Sequence, residues 1–242
     1  IHGKWSSVSG RLAVLTGRKS DPYDTYDYLF KTLEGKRDQV LFFLHVGNYG
    51  RFDRPVSWKK SVYRQLIREV AMHFRVGIHP SYLSSSEGGN HRVMTEKERL
   101  SKIIGSEITC SRQHYLRLNI PETYRTLIQS GITEDYSMGY AEITGFRAGI
   151  CTPFRFYDLT EEKETSLTVY PVPVMDVTLR NYMGLSAEEA SMTMANLMQE
   201  IQNAGGVLVV SWHNESLTNE DEWKDYRIVF EQVLTGVAHE KI

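Results

Sequence analysis

Val40-Leu41-Phe42-Phe43-Leu44-His45-Val46 is a short apolar run that stops at Gly47-Asn48-Tyr49-Gly50. Over residues 57–74 the pattern changes, and Val62, Leu66, Ile67, Val70 and Ala71 fall on one helical face. Val76-Gly77-Ile78-His79 then returns to an extended pattern. A buried strand, a loop, an amphipathic helix and a second short strand in that order make a βαβ unit, which runs its strands parallel with the helix packed across them.

The alternation extends in both directions. Downstream come a helix over 94–104 stopped by Gly105, a strand over 108–111, a helix opened by Pro121 and closed at Gly131, and a strand over 132–137. Ser186 caps a helix reaching about 204, Gly205-Gly206 breaks it, residues 206–212 carry the strongest strand signal, and a last helix covers about 219–238. Upstream, Asp21-Pro22-Tyr23-Asp24 has the composition of a helix start, so a helix to about Gly35 is expected, with Asp21, Asp24 and Asp27 as capping acids. Residues 139–170 show no clear period and are expected to form a long excursion with one strand. Residues 167–177 carry two prolines and read as an irregular or edge strand. At least five alternations argue for the α/β class, a parallel sheet or barrel, in one domain over residues 1–242. The chain opens on a helix, and on Ile rather than Met, so the strand that should come first is expected upstream of Ile1.

Composition narrows the function classes. The 28 Lys and Arg against 30 Asp and Glu leave a net charge of −2, which excludes polyanion binding by bulk charge and with it a nucleic-acid partner. At 41% apolar and 24% charged residues the chain is no disordered or fibrous protein. Its longest apolar runs are far short of the roughly 20 residues of a membrane helix, so no membrane span is expected. Cys110 and Cys151 have no CxxC spacing and read as thiols of a reducing compartment, which favours the cytoplasm.

Among eight histidines, His79 and His213 fall where expected strands end, and His114 lies just beyond a third. In a parallel barrel the carboxyl ends of the strands form one face and carry the site, so these three can converge. Neutral imidazoles suit zinc and other first-row divalent ions. For any single strand-end histidine a hydrogen-bonded structural role explains the position equally well, and it is the set of three that favours a site. His45 lies inside the apolar run and fits either role, while His2, His73, His91 and His239 read as surface residues. Other catalytic templates, GxSxG, the P-loop, GxGxxG after a strand and HExxH, are missing.

Gly77-Ile78-His79-Pro80-Ser81-Tyr82, Ser111-Arg112-Gln113-His114-Tyr115, Asp135-Tyr136-Ser137, Gly145-Phe146-Arg147-Ala148-Gly149 and Val209-Val210-Ser211-Trp212-His213-Asn214 together resemble the polysaccharide deacetylase superfamily. More closely, they are similar to its divergent branch in bacterial surface-polysaccharide gene clusters. The resemblance runs from about Asp21 to the final helix. It implies a distorted, TIM-like (β/α)7 barrel and metal-dependent removal of acetyl from an N-acetylated sugar.

Carried over residue by residue, the resemblance implies His79 and His114 as metal ligands, with Leu83 standing where a second histidine is usual and His114 replacing the proline of an Arg-x-Pro-Tyr motif. It implies His213 as general acid, and an acidic pair before Ile1 supplying the third ligand and the catalytic base. Arg112 would hold that base ionised, or form a structural ion pair; Asp176 would orient His213, or cap a turn. Asp135 would bind a sugar hydroxyl or cap the backbone, and Arg147 would reach an anionic substituent or the base, or be an ordinary surface arginine. Trp212, with Tyr82 and Tyr140, could stack on sugar rings. The implied cofactor is a divalent metal, with zinc favoured, and the implied partner is a carbohydrate. Three readings stay open: a carbohydrate N-deacetylase, a catalytically silent glycan-binding or scaffold relative, and a metallohydrolase of the same fold acting on a non-sugar amide.

Overall fold

The computed structural model describes residues 10, 12–19, 21–86 and 88–236. Its elements, in chain order, are α1 (Tyr26–Thr32), β1 (Leu41–Leu44), α2 (Ser61–His73), β2 (Arg75–Ile78), α3 (Asn90–Ile104), β3 (Cys110–Ser111) and α4 (Glu122–Gln129). Then follow β4 (Glu134–Met138), β5 (Phe154–Asp158), β6 (Lys163–Pro171), β7 (Val174–Met175), α5 (Ala187–Asn203), β8 (Val210–Ser211) and α6 (Arg227–Gly236). His2 and His239 lie outside the described residues.

Strands β1, β2, β3, β4 and β6 lie side by side in that order, all parallel, with β5 antiparallel at the outer edge of β6. A separate parallel pair is formed by β7 and β8, in register Val174 to Val210 and Met175 to Ser211. The opening βαβ unit is as expected, Leu41 to Leu44 pairing with Arg75 to Ile78 and α2 burying Ile67 and Val70. Among the described residues β1 and β8 do not pair with each other, so the barrel wall is open along one seam. A cavity of about 290 Å³ occupies that seam, lined by Phe42, Leu44, Val210 and Trp212 together with His79 and His213.

Apolar clusters hold the layers. Ile67, Leu100, Tyr124 and Leu127 of the outer helices pack on Ile78, Leu167 and Val169 of the large sheet. Ala190 and Met194 of α5 and Val229 and Val233 of α6 pack on Val174. Leu29 of α1 joins Phe74, Leu217 and Phe230 in a third cluster. No helix among the described residues is long and apolar enough to cross a membrane.

Several local expectations need correction. The region over 139–170 holds two strands, not one, because β5 and β6 form a hairpin in which Phe154 faces Val169 and Asp158 faces Lys163. Its turn is closed by the Asp158 carboxylate, which accepts from Thr160 N at 3.0 Å and Glu161 N at 3.2 Å and is clasped by Arg125 at 2.6 and 2.9 Å. Strand β6 is interior, not an edge, since its prolines fall at its end, Pro171, and beyond it, Pro173, where the ladder no longer needs their N–H. Helix α1 begins at Tyr26 rather than near Asp21, because the Asp21 carboxylate accepts from Tyr23 N at 3.0 Å and makes a turn. The strand over 206–212 shrinks to Val210–Ser211, the length its partner β7 offers.

One glycine is dictated by close approach. A Cβ on Gly77, in β2, would stand 2.6 Å from the Phe43 ring and 2.9 Å from the Cys110 carbonyl oxygen. Gly77→Ala should therefore destabilise the fold by about 1–3 kcal/mol through overpacking, read as a lowered urea midpoint at unchanged slope.

Candidate active site

The carboxyl ends of β1, β2 and β3 present His45, His79 and His114. His45 is the first residue past β1; its Nδ1 lies 2.9 Å from the His79 carbonyl oxygen and donates to it, which leaves Nε2 with the lone pair. His79 is the first residue past β2, and its Nδ1 lies 2.5 Å from the Arg112 carbonyl oxygen. His114 follows β3 by three positions, and its Nδ1 stands 2.8 Å from Asp53 Oδ1. Ring centroids are separated by 5.3 Å for His45 and His114, 4.9 Å for His79 and His114, and 5.9 Å for His45 and His79.

Asp53 comes from the loop between β1 and α2 and is only 6% exposed. Its Oδ1 also accepts from Tyr82 N at 2.8 Å and lies 3.5 Å from His45 Nε2. Ligand atoms of His45, Asp53 and His114 all fall within 4.8 Å of one another. Close backbone approach supports the group: a Cβ on Gly47 would come 2.8 Å from His45 Cε1 and 3.0 Å from Glu96 Oε1. Buried Glu96 in turn accepts from Ser81 N at 2.9 Å and Ser81 Oγ at 2.5 Å, tying down the loop that carries His79.

The donor set fits a divalent metal. His45 Nε2 is buried without a hydrogen-bond partner, a cost that a ligand would relieve. Burial, reinforced by the Arg112 charge, holds His79 well below the usual imidazole range, and burial also lowers His114 although the Asp53 hydrogen bond opposes it. Neutral imidazoles with one carboxylate make the three-ligand set typical of catalytic zinc.

A second group sits at the ends of β7 and β8. Asp176, the residue after β7, is fully buried; its Oδ1 accepts from His213 Nδ1 at 2.7 Å, and its Oδ2 from His213 N at 2.7 Å and from Ser216 Oγ. Burial alone would raise the Asp176 carboxyl, but the His213 charge and these hydrogen bonds outweigh it and hold the group below the usual range. The arrangement fixes the proton on His213 Nδ1 and leaves Nε2 free. His79, Arg112 and His213 line the seam cavity together.

Arg112, 8% exposed, has no carboxylate within ion-pair distance among the described residues. Its Nε is unpartnered and its Nη2 touches Met175 Sδ at 3.1 Å. Burial pushes its pKa down to about 10, while the Asp176 and Asp135 charges work the other way. Asp135 is fully buried and pushed up to about 6 by burial; its oxygens accept from Ser111 Oγ at 2.7 Å, Ser137 Oγ at 2.8 Å and Ser137 N at 3.0 Å. Trp212 packs inward, its ring 5.5 Å from Phe230 and its Nε1 buried without a partner. Arg147 is exposed in the 146–149 turn, its charge opposing the burial-driven rise of the Tyr124 hydroxyl.

The structure thus gathers His79, Arg112 and His213 about one cavity, with Asp176 buried behind His213 and His114 beside His79. It also adds Asp53, which sequence reasoning passed over, and brings in His45, which sequence reasoning left between two roles. His45 carried a signal: the apolar run continues to Val46, but the ladder with β2 ends at Leu44, which puts His45 at a strand end like the others. Asp53 carried none, being one acid in a loop. Asp53 brings a buried carboxylate to the histidines from inside the chain.

No family model matches the sequence, and no curated protein matches it. Solved structures do match. A Mycobacterium smegmatis protein described as a polysaccharide deacetylase superposes with a TM-score of 0.66 at 14% identity, over 98% of this chain and 79% of that one. A Pseudomonas aeruginosa PAO1 protein described in the same way gives 0.60 at 16% identity, and a PuuE allantoinase gives 0.60 at 12%, each over 88% of this chain and 66% of its own. The fold is therefore that of the polysaccharide deacetylases, the distorted (β/α)7 barrel, here with its sheet not closed among the described residues.

Proposed function

We propose that the protein is a metal-dependent carbohydrate N-deacetylase acting on an N-acetylated sugar of a bacterial polysaccharide or its precursor. The observation that carries this reading is the His45, Asp53 and His114 group, within 4.8 Å, opening on the same strand-end face as the His213–Asp176 pair. His45, Asp53 and His114 would hold the ion, zinc by its donor set, with His79 beside them. Bound there, a divalent metal supplies Lewis-acid chemistry, polarising a carbonyl and making water a better nucleophile at neutral pH. His213, protonated on both ring nitrogens at this step, gives its Nε2 proton to the departing amine, while the Asp176 carboxylate holds the Nδ1 proton, orients the ring and stabilises the imidazolium. Arg112, a buried cation with an unpartnered Nε, suits a carboxylate held in the seam, where a catalytic base would be kept ionised. Asp135, fully buried, works through Arg112 as a counter-charge rather than on a sugar hydroxyl; Arg147 keeps an outer position, and Trp212, packed inward against Phe230, shapes the cavity wall instead of stacking on a sugar.

The test is zinc content and acetate release on the full-length protein, with N-acetylglucosamine oligomers as substrate. Stoichiometric zinc and metal-dependent acetate release are expected. Bound zinc without acetate release from any N-acetylated sugar would favour the silent glycan-binding reading, hydrolysis of a non-sugar amide alone would favour the third reading, and no metal binding would remove the site assignment.

A further inference from the structure

Beside the metal-ligand group lies an aromatic ledge that the hydrolytic chemistry does not use. Phe52 precedes Asp53, Tyr115 follows His114, and Tyr82 is the residue whose N–H binds the Asp53 carboxylate. Ring centroids are 4.3 Å apart for Phe52 and Tyr82, 5.5 Å for Tyr82 and Tyr115, and 6.5 Å for Phe52 and Tyr115, with Tyr115 reaching to 4.6 Å from the His114 ring. Phe52 is 40% and Tyr115 56% exposed. Single exposed aromatics need no explanation, but three from three separate loops, touching one another at the mouth of a site, form a patch with a direction.

The ledge is held in place. Arg117 Nη1 donates to the Tyr82 carbonyl at 3.1 Å and to Ser86 Oγ at 2.8 Å, and its guanidinium lies 4.6 Å from the Tyr82 ring centroid. Tyr115 and Leu116 both adopt left-handed backbone angles, φ 59° and 50°, a strained choice for bulky side chains that turns Tyr115 outward. Arg51 sits 5.2 Å from the Phe52 ring centroid and has no carboxylate partner among the described residues.

We propose that Phe52, Tyr82 and Tyr115 form a subsite for the sugar ring adjoining the one whose amide is hydrolysed, and that Arg51 selects a ring bearing a carboxylate. The ligand class is an acidic N-acetylated glycan chain. A pyranose has an apolar C–H face that an aromatic ring covers, and polar edges that stay in water, so stacking supplies affinity and register without burying a hydroxyl. An unpaired guanidinium at the rim adds attraction for an anionic ring. The inference rests on the deacetylase reading for which ring is called adjoining, and its test is read by binding rather than by turnover.

Titration calorimetry on the zinc-loaded full-length protein would compare hyaluronan hexasaccharide, chitohexaose and N-acetylglucosamine. Phe52→Ala and Tyr115→Ala should each weaken both hexasaccharides roughly tenfold, as truncation of a contact anchor does, and change the monosaccharide by less than about twofold. Tyr115→Phe should keep the affinity, since the ring and not the hydroxyl is used. Arg51→Gln should weaken hyaluronan alone, by about threefold, and the difference should vanish at high salt. Unchanged hexasaccharide affinity in both alanine variants, an equal loss for the monosaccharide, or no binding of either hexasaccharide by the unmutated protein would overturn the proposal. Absent acetate release with these affinity losses intact would count against the deacetylase alone and leave the subsite standing.

Discussion

Asp53→Ala should strip the protein of zinc and of acetate release together. The Asp53 Oδ1 atom stands 2.8 Å from His114 Nδ1, 2.8 Å from Tyr82 N and 3.5 Å from His45 Nε2, so one carboxylate both offers a ligand and orients the loops that offer the others. Loss of a residue that merely orients ligands costs about 10- to 100-fold in metal affinity, and a residue that does both should exceed that range. Asp53→Asn, which keeps the shape and removes the charge, should fall between. Zinc competition with a chromophoric chelator reads the affinity directly. Retention of zinc by Asp53→Ala with its loss in His79→Ala would restore His79 and His114 as the working pair. Because burial holds His79 and His114 below the usual imidazole range, zinc affinity should stay nearly flat from pH 8 to about 6.5 and decline only in more acid solution.

The second large effect belongs to the other side of the cavity. His213→Ala should lower kcat by roughly 10²- to 10⁴-fold with zinc content intact, as expected for a lost general acid. Asp176→Asn should approach the same loss, on the order of 10³-fold or more, because an amide facing His213 Nδ1 favours the wrong tautomer. It should also cost stability. Asp176 is held below its ordinary carboxyl range in the folded state, so its contribution is complete above the unfolded pKa, near pH 4, and is lost as pH falls through the folded value. The stability deficit of Asp176→Asn should therefore be full at pH 7 and shrink only in strong acid. If His213→Ala loses zinc, or turns over normally, His213 is a ligand or a structural residue instead.

Much of the scaffold was legible because its signals are local. Gly105 ends α3 in the left-handed conformation, φ 77°, and Ser186 with Glu189 makes a reciprocal capping box at α5. The strand-end rule found His79, His114 and His213 because each follows an apolar segment closely. It left His45 between two roles for a physical reason: burial continues through Val46 after strand pairing has stopped, so hydropathy and hydrogen bonding end at different residues. Asp53 was beyond reach because its position depends on Tyr82 and His114, residues distant in sequence. The β5–β6 hairpin was masked by the charged run near its turn, although Leu167, Val169 and Pro171 alternate as a half-buried strand should.

From Lys163 to Met175 one course of chain borders both sheets, pairing first with β4 and then, past Pro173, with β8, before it delivers Asp176. Extended chain reverses its facing with every added residue. A single insertion between 171 and 176 would therefore rotate the carboxylate away from His213, whereas the exposed turn at 159–162 can gain or lose residues with no such penalty. Length variation among descendants of this fold should accordingly collect at the tip of the hairpin and be purged from its stem.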